Sequence, residues 1–226
     1  MIHKTAVVAG STGLVGSRLL ELLAGASEYS LVVALSRRPA PSGSGTVQWR
    51  PADFDRLDKV LGDIRGSESV PLDVFCCLGT TIKTAGSQDA FRRVDFEYVV
   101  RVGRWARAAN ARRLVVVSAL GADPASRVFY NRVKGEAEQA LGALGLPSLV
   151  VLRPSLLDGE RVEVRAGERL ALKFTRPIRG LLPKSVRPVR DIDVAATMLE
   201  AARADRAPLL IESGQMHDAA ARLERN

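Results

Sequence analysis

Seven short runs rich in apolar and β-branched residues, at 4–9, 30–35, 46–49, 72–77, 113–118, 147–152 and 208–212, alternate with segments of helical period at 13–24, 54–61, 88–109, 127–144, 167–176 and 191–203. Strands separated by helices pair in parallel through βαβ units, and helices then cover both faces of the sheet. The expected fold is therefore α/β, a doubly wound parallel sheet, rather than a sandwich or a helical bundle. At 226 residues the chain reads as one domain over 1–226. The alternation loses its regularity after Arg153-Pro154 and resumes at Asp191, which marks 155–190 as a small C-terminal lobe within that domain and a candidate substrate lobe. The patch Pro39-Ala40-Pro41-Ser42-Gly43-Ser44-Gly45 reads as a loop after the second strand.

Composition narrows the class further. The chain is 46% hydrophobic with a formal net charge of +8, a globular balance rather than a disordered one. Residues 1–10 run straight into Thr5-Ala6-Val7-Val8-Ala9 without a basic n-region or long apolar h-region, and apolar runs such as Leu114-Val115-Val116-Val117 are too short to cross a bilayer. The expectation is a soluble, cytoplasmic protein. Cys76 and Cys77 are neighbours whose side chains face opposite ways in a strand, which excludes a framework disulfide and fits two small core residues. With only His3 and His217 besides, and no zinc-type spacing, no metal site is expected. Trp49 and Trp105 read as packing residues.

Directly after the first strand stands Gly10-Ser11-Thr12-Gly13-Leu14-Val15-Gly16, followed by Leu19, Leu22 and Leu23 at helical spacing. Glycines in such a strand–turn–helix permit the tight turn, let backbone approach a pyrophosphate and allow close helix–sheet packing, while N–H groups at the helix start attract phosphate charge. Where an NAD enzyme offers a carboxylate to the ribose, this chain has Ser36-Arg37-Arg38. Guanidinium groups suit a phosphate, so the pair favours the 2′-phosphate of NADP over solvation of a loop. Asp53-Phe54, after the third strand, has two readings: a carboxylate beside the adenine amino group, or a cap for a helix starting near Phe54.

Tyr130 and Lys134 are four residues apart in the expected helix 127–144 and share one face. An ammonium favours the phenolate, and lowering a phenol from pKa ~10 by about three units takes roughly 4 kcal/mol of differential stabilisation. Tyr130 is the candidate proton donor–acceptor. Ser118, at the carboxyl end of the strand 113–118, is the candidate group that positions and polarises a reacting carbonyl.

Through the glycine turn, Ser118, Tyr130-x-x-x-Lys134 and Leu152-Arg153-Pro154, the sequence resembles the short-chain dehydrogenase/reductase superfamily. Phe75-Cys76-Cys77-Leu78-Gly79-Thr80-Thr81, Arg93-Val94-Asp95 and Val133-Lys134-Gly135-Glu136 look like its atypical branch of Tat-interacting-protein-like oxidoreductases, a likeness covering roughly 4–205. The resemblance implies a Rossmann-type NADPH binder with Ser118, Tyr130 and Lys134 as the catalytic set. It also implies that Leu78, Gly79, Thr80 and Thr81 line the cofactor path near the nicotinamide ribose, with Arg153 and Pro154 beside the cofactor. It names no substrate. Two departures stand out: Cys77-Leu78-Gly79-Thr80 replaces the superfamily's Asn-Asn-Ala-Gly stretch, and Asp95 stands where many relatives carry the proton-relay asparagine.

Between Arg169 and Arg190 lie seven basic residues (Arg169, Lys173, Arg176, Arg179, Lys184, Arg187, Arg190) and no acidic one, nearly the whole net charge. With Leu170, Phe174 and Ile178 on another face, the segment reads as an amphipathic lid that attracts an anionic substrate, an acidic protein or a membrane surface, or else as a solvated face. No nucleic-acid reading motif is present, and aromatics are only 5%, so sequence-specific nucleic-acid binding is not expected. The sequence therefore points to an NADPH-dependent reductase of a carbonyl or quinone-like small molecule. The alternative is a non-catalytic NADPH-sensing protein whose lobe responds to the cofactor.

Overall fold

The computed structural model describes residues 3–37, 47–158, 183–207 and 209–225. Along these the chain forms β1 (Lys4–Ala9), α1 (Leu14–Ala24), β2 (Tyr29–Ser36), β3 (Val47–Pro51), α2 (Leu57–Val60), β4 (Leu72–Cys76), α3 (Ile82–Ala85) and α4 (Gln88–Arg92). A π-helical turn over Arg93–Tyr98 leads into α5 (Val99–Ala108), then β5 (Arg113–Val117), α6 (Phe129–Gly142) and β6 (Leu149–Arg153). There follow β7 (Leu157–Asp158), β8 (Val189–Arg190), α7 (Asp191–Arg203), β9 (Leu210–Glu212), α8 (Ser213–Met216) and α9 (Ala219–Leu223).

Seven strands make one sheet in the order β3-β2-β1-β4-β5-β6-β9, every pair parallel. The fold is the doubly wound α/β sheet of Rossmann type. The order reverses between β1 and β4, so the connections leaving the carboxyl ends of those two strands diverge and open a crevice, the place where ligands bind in such sheets.

Period-two alternation along the strands explains the three layers. On one face Val8, Phe75 and Val115 pack with Leu19 and Leu23 of α1 and Val194 and Met198 of α7. On the other, Val7, Val74, Cys76 and Leu114 pack with Leu57, Leu61, Val102, Trp105 and Leu141. Burying each large aliphatic side chain contributes about 1.5–3 kcal/mol. Cys76 and Cys77 face opposite layers, as a strand requires, and both thiols are free. At the amino edge of the sheet, the buried Asp73 accepts hydrogen bonds from Tyr29 (2.8 Å) and from Arg112 (2.9 and 2.7 Å). Arg112 and Arg113 also donate to the carbonyls of Ala202 and Ala204 at 2.7 Å, two cations closing the carboxyl end of α7.

Several expectations shift in detail. The helix expected at 54–61 begins only at Leu57, because Asp53 turns the chain first: its carboxylate accepts the Asp55 N–H (3.1 Å) and its carbonyl the Arg56 N–H (3.1 Å). Asp53 therefore stabilises a turn and does not cap α2, whose N-cap is Arg56. The helix expected at 88–109 is interrupted by the π turn that carries Asp95. Within the expected lobe, β7 and β8 pair in parallel, and the Ser155 hydroxyl donates to the Arg187 carbonyl at 2.6 Å. The expected helix 167–176, together with Arg169, Lys173, Arg176 and Arg179, lies outside the described residues, as do Arg38 and the glycine–serine patch.

Candidate functional site

The turn after β1 is built so that only glycine fits at positions 10 and 16. Gly10 has φ +80°, in the left-handed region, and a β-carbon there would lie 2.7 Å from the Cys77 carbonyl and 2.9 Å from the Leu78 nitrogen. A β-carbon on Gly16 would lie 2.2 Å from the Gly10 oxygen, and one on Gly13 would lie 3.3 Å from it. Between them, the buried Ser11 hydroxyl donates to the Leu35 carbonyl at 2.6 Å, tying the turn to β2. Gly13 is the N-cap of α1; no side chain caps this helix and no acidic residue stands in its first turn. Thr12 and Leu14 are on the accessible side of the turn, while Val15 points into the core. A turn that brings backbone close at Gly10, Gly13 and Gly16 and ends on helix N–H groups, with no carboxylate in the first helical turn, fits the pyrophosphate of a dinucleotide.

Ser36 ends β2, buried, and its carbonyl accepts the Ala52 N–H at 2.8 Å, while Arg37 follows it into solvent. Asp53 is exposed at the end of β3, and Phe54 is buried against Tyr98, with ring centroids 5.1 Å apart. These residues lie along the β1–β2–β3 side of the carboxyl edge.

On the other side of the switch point, the chain leaving β4 links the glycine cradle to Asp95 and Lys134. Cys77 and Leu78 lie against Gly10; one residue on, a β-carbon at Gly79 would lie 3.5 Å from Asp95 Oδ1 and 3.7 Å from Lys134 Nζ. Thr80 donates its N–H to Asp95 Oδ2 at 2.8 Å, and Thr81 caps α3 by accepting the Thr84 N–H. Lys134 Nζ pairs with Asp95 Oδ1 at 2.8 Å, with side-chain exposures of 6% and 0%. Burial alone would pull the Lys134 ammonium down, but Asp95 and then Tyr130 outweigh it and hold it above the ordinary lysine range. Tyr130, one turn before Lys134 on α6, rests its ring on Phe91, 5.5 Å between centroids.

Ser118 lies just beyond β5, where its N–H continues the ladder to the Leu152 carbonyl (2.7 Å). Its hydroxyl donates to Glu138, which is also held by Arg153 through Nη2 at 2.6 Å and Nε at 3.1 and 3.2 Å. Arg153 reaches Glu212 as well, at 3.6 Å, and the Pro154 carbonyl accepts the Leu120 N–H at 2.8 Å. The structure thus brings Lys134 and Ser118 to one crevice lined also by Asp95 and Glu138. Arg153, expected beside the cofactor, spends its guanidinium on two carboxylates.

Two contributors escaped the sequence reading. Glu138 extends the stripe Tyr130, Lys134 by one more four-residue step, a spacing visible in the sequence but without a partner to give it meaning. Gly135 has a steric role: a β-carbon there would lie 2.2 Å from the Asp123 carbonyl carbon and the Pro124 nitrogen, so α6 presses onto the loop that follows Ser118.

Fold and cradle define a dinucleotide-binding protein, and the comparisons agree. The chain matches the family model described as NAD(P)H-binding over residues 10–205, and it belongs to that family. It is 35% identical to Protein HTATIP2 of Rattus norvegicus over 188 residues, 82% of this chain and 74% of that protein. It is 32% identical to Protein FMP52, mitochondrial, of Coccidioides immitis (strain RS) over 169 residues, 71% and 69% of the two chains. Among solved structures it resembles MoeE5 in complex with UDP-glucose and NAD (TM-score 0.66, 19% identity, 97% of this chain and 81% of that one). It also resembles ElxO with NADP bound (TM-score 0.64, 12% identity, 94% and 98%). These two likenesses are of fold. The chain is thus an atypical member of the short-chain dehydrogenase/reductase group, an NAD(P)-binding, oxidoreductase-like protein.

Proposed function

We propose that the protein is an NADPH-dependent oxidoreductase that reduces a carbonyl or quinone-like small molecule, with Tyr130 as proton donor. The observation that carries this reading is the segment 77–80. At one end it touches the glycine cradle at Gly10, and three residues later it meets the buried Lys134–Asp95 pair beside Tyr130. Cofactor cradle and proton-handling side chains are thereby held in a fixed relation at the switch point of the sheet.

The dinucleotide, when bound, supplies a hydride. The chain supplies the rest. The turn at 10–16 holds the pyrophosphate through backbone groups, and Arg37, exposed just beyond β2, is the proposed partner of a 2′-phosphate. Tyr130 gives its phenolic proton to the reacting oxygen, and Lys134, held in its charged form, stabilises the tyrosinate that this leaves. Ser118 lies within the same edge and orients that oxygen.

One observation favours the second reading, a cofactor-sensing protein without turnover: the Ser118 hydroxyl is turned to Glu138. NADPH oxidation against a panel of aldehydes, ketones and quinones separates the two, once binding of NADPH has been verified by titration. Turnover supports the oxidoreductase; silence with NADPH bound, and partner capture that changes with NADPH, supports the sensor.

A further inference from the structure

We propose that the groove between α2 and α5 is a second binding site of this protein, separate from the nucleotide crevice, and that it takes a small aromatic carboxylate. The groove encloses about 370 Å³, within the range of small-molecule pockets, and shares no lining residue with the crevice around Ser118 and Lys134.

Local sequence makes the groove. Along α5, Arg101, Arg104, Trp105 and Ala108 stand at i, i+3, i+4 and i+7, one stripe of the helix, and all four line it. Gly62, just after α2, and Ala108 are the smallest residues of the lining, so the gap between the two elements stays open. The floor is apolar: Phe54, Leu57 and Trp105 are each less than a tenth exposed.

The rim is cationic. Arg101 and Arg93 share a single carboxylate, that of Asp55, Arg101 on Oδ1 and Arg93 on Oδ2 at 3.1 Å, so one negative charge answers two guanidiniums. Arg65 donates to the Ala108 carbonyl at 2.8 Å, closing the end of α5, and has no carboxylate partner among the described residues. Arg104 lines the groove and makes no hydrogen bond, ion pair or ring contact among the described residues. Asp58, the other acidic residue of the lining, forms an ion pair with none of these arginines.

The pairing of floor and rim defines the ligand. A guanidinium offers two parallel donors to a carboxylate, and the planar group also stacks on rings. An inorganic anion would meet the charge and leave the apolar floor wet. A neutral ring would cover the floor and leave Arg104 without a counter-charge. One molecule that carries both a ring and a carboxylate meets the two demands together.

The test titrates the 15N-labelled 226-residue chain with 1-naphthoate and follows the indole N–H signals, of which the two tryptophans give one each. Trp49→Phe assigns the Trp105 signal. Naphthoate should shift that signal saturably, and 1-naphthalenemethanol, the same ring without the charge, should bind about tenfold more weakly or worse. Arg104→Gln breaks no contact of the fold and should weaken naphthoate by about tenfold or more, the loss of one charge-assisted contact. Ala108→Glu sets a carboxylate one helical turn beyond Arg104 and should weaken naphthoate as well. No saturation up to about 10 mM, or an Arg104→Gln protein that binds naphthoate as wild type does, overturns the proposal. So does a Trp105 shift that saturating NADPH abolishes and Arg104→Gln leaves unchanged, which would put the probe in the nucleotide crevice. The titration needs neither cofactor nor substrate, so its outcome is independent of the oxidoreductase reading.

Discussion

Ser118 donates its hydroxyl hydrogen to Glu138, which stands two helical turns beyond Tyr130 and one beyond Lys134. Tyr130, Lys134 and Glu138 thus lie on one stripe of α6 at four-residue steps. Because Glu138 is anchored by Arg153, the direction of the Ser118 hydroxyl is set by an ion pair between α6 and β6.

Glu138→Ala should free that hydroxyl and leave Arg153, among the described residues, with Glu212 alone as carboxylate partner, costing about 1–3 kcal/mol of stability. Urea unfolding measures this, with Glu138→Gln falling between. A Glu138→Ala protein as stable as wild type would mean that the Ser118–Glu138–Arg153 link contributes little.

Gly10→Ala places a methyl 2.7 Å from the Cys77 carbonyl at a φ of +80°. The strain of such a residue is about 1–3 kcal/mol, and the turn must shift to relieve it, so NADPH affinity should fall by roughly tenfold or more. Fluorescence titration reads the loss; unchanged affinity would place the pyrophosphate elsewhere.

In the proposed function, cofactor choice turns on Arg37. Loss of a charge-assisted contact to the 2′-phosphate costs roughly 1.5–3 kcal/mol, so NADPH should bind more tightly than NADH by about that amount. Arg37→Asp should reverse the order, while equal affinities in wild type would remove the preference for NADP.

Alkaline stability should fall early. Burial raises the Cys76 thiol from 9.0 to about 11, so the unfolded chain releases this proton first and the native state binds more protons in that window. Stability is then whole below about pH 9 and declines by about 2–3 kcal/mol as pH rises to about 11. The raised Lys134 acts in the same direction at higher pH, its contribution present below the ordinary lysine range and lost as pH passes its folded value. Burial raises the Cys77 thiol as well, so Cys76→Ala should lessen this decline in the urea midpoint and Cys76→Ala/Cys77→Ala should flatten it; an unchanged slope in the double variant would mean that the thiols are not the cause.

The layers and the cradle were legible from sequence because they depend on local pattern. Alternating apolar runs, and glycines at 10, 13 and 16 between a strand and a helix, carry their own geometry. Asp95 shows where legibility ends. Its neighbours suggest an uninterrupted helix, and only the π turn, a tertiary adjustment, buries it against Lys134, 39 positions away. Likewise, Arg153 at the end of β6 reads as a free cation until α6 sets Glu138 beside it. The sequence offers Asp53 two roles, and the turn it makes before α2 removes the capping one.

The most direct test of the proposed function compares wild type with Tyr130→Phe for NADPH affinity and for NADPH oxidation with a substrate from the carbonyl and quinone panel. Removing a general acid typically costs about 10²–10⁴ in rate, so the variant should bind NADPH as wild type does and lose turnover by about a hundredfold or more. Equal turnover in the two proteins would contradict Tyr130 as the proton donor, and with it the central claim.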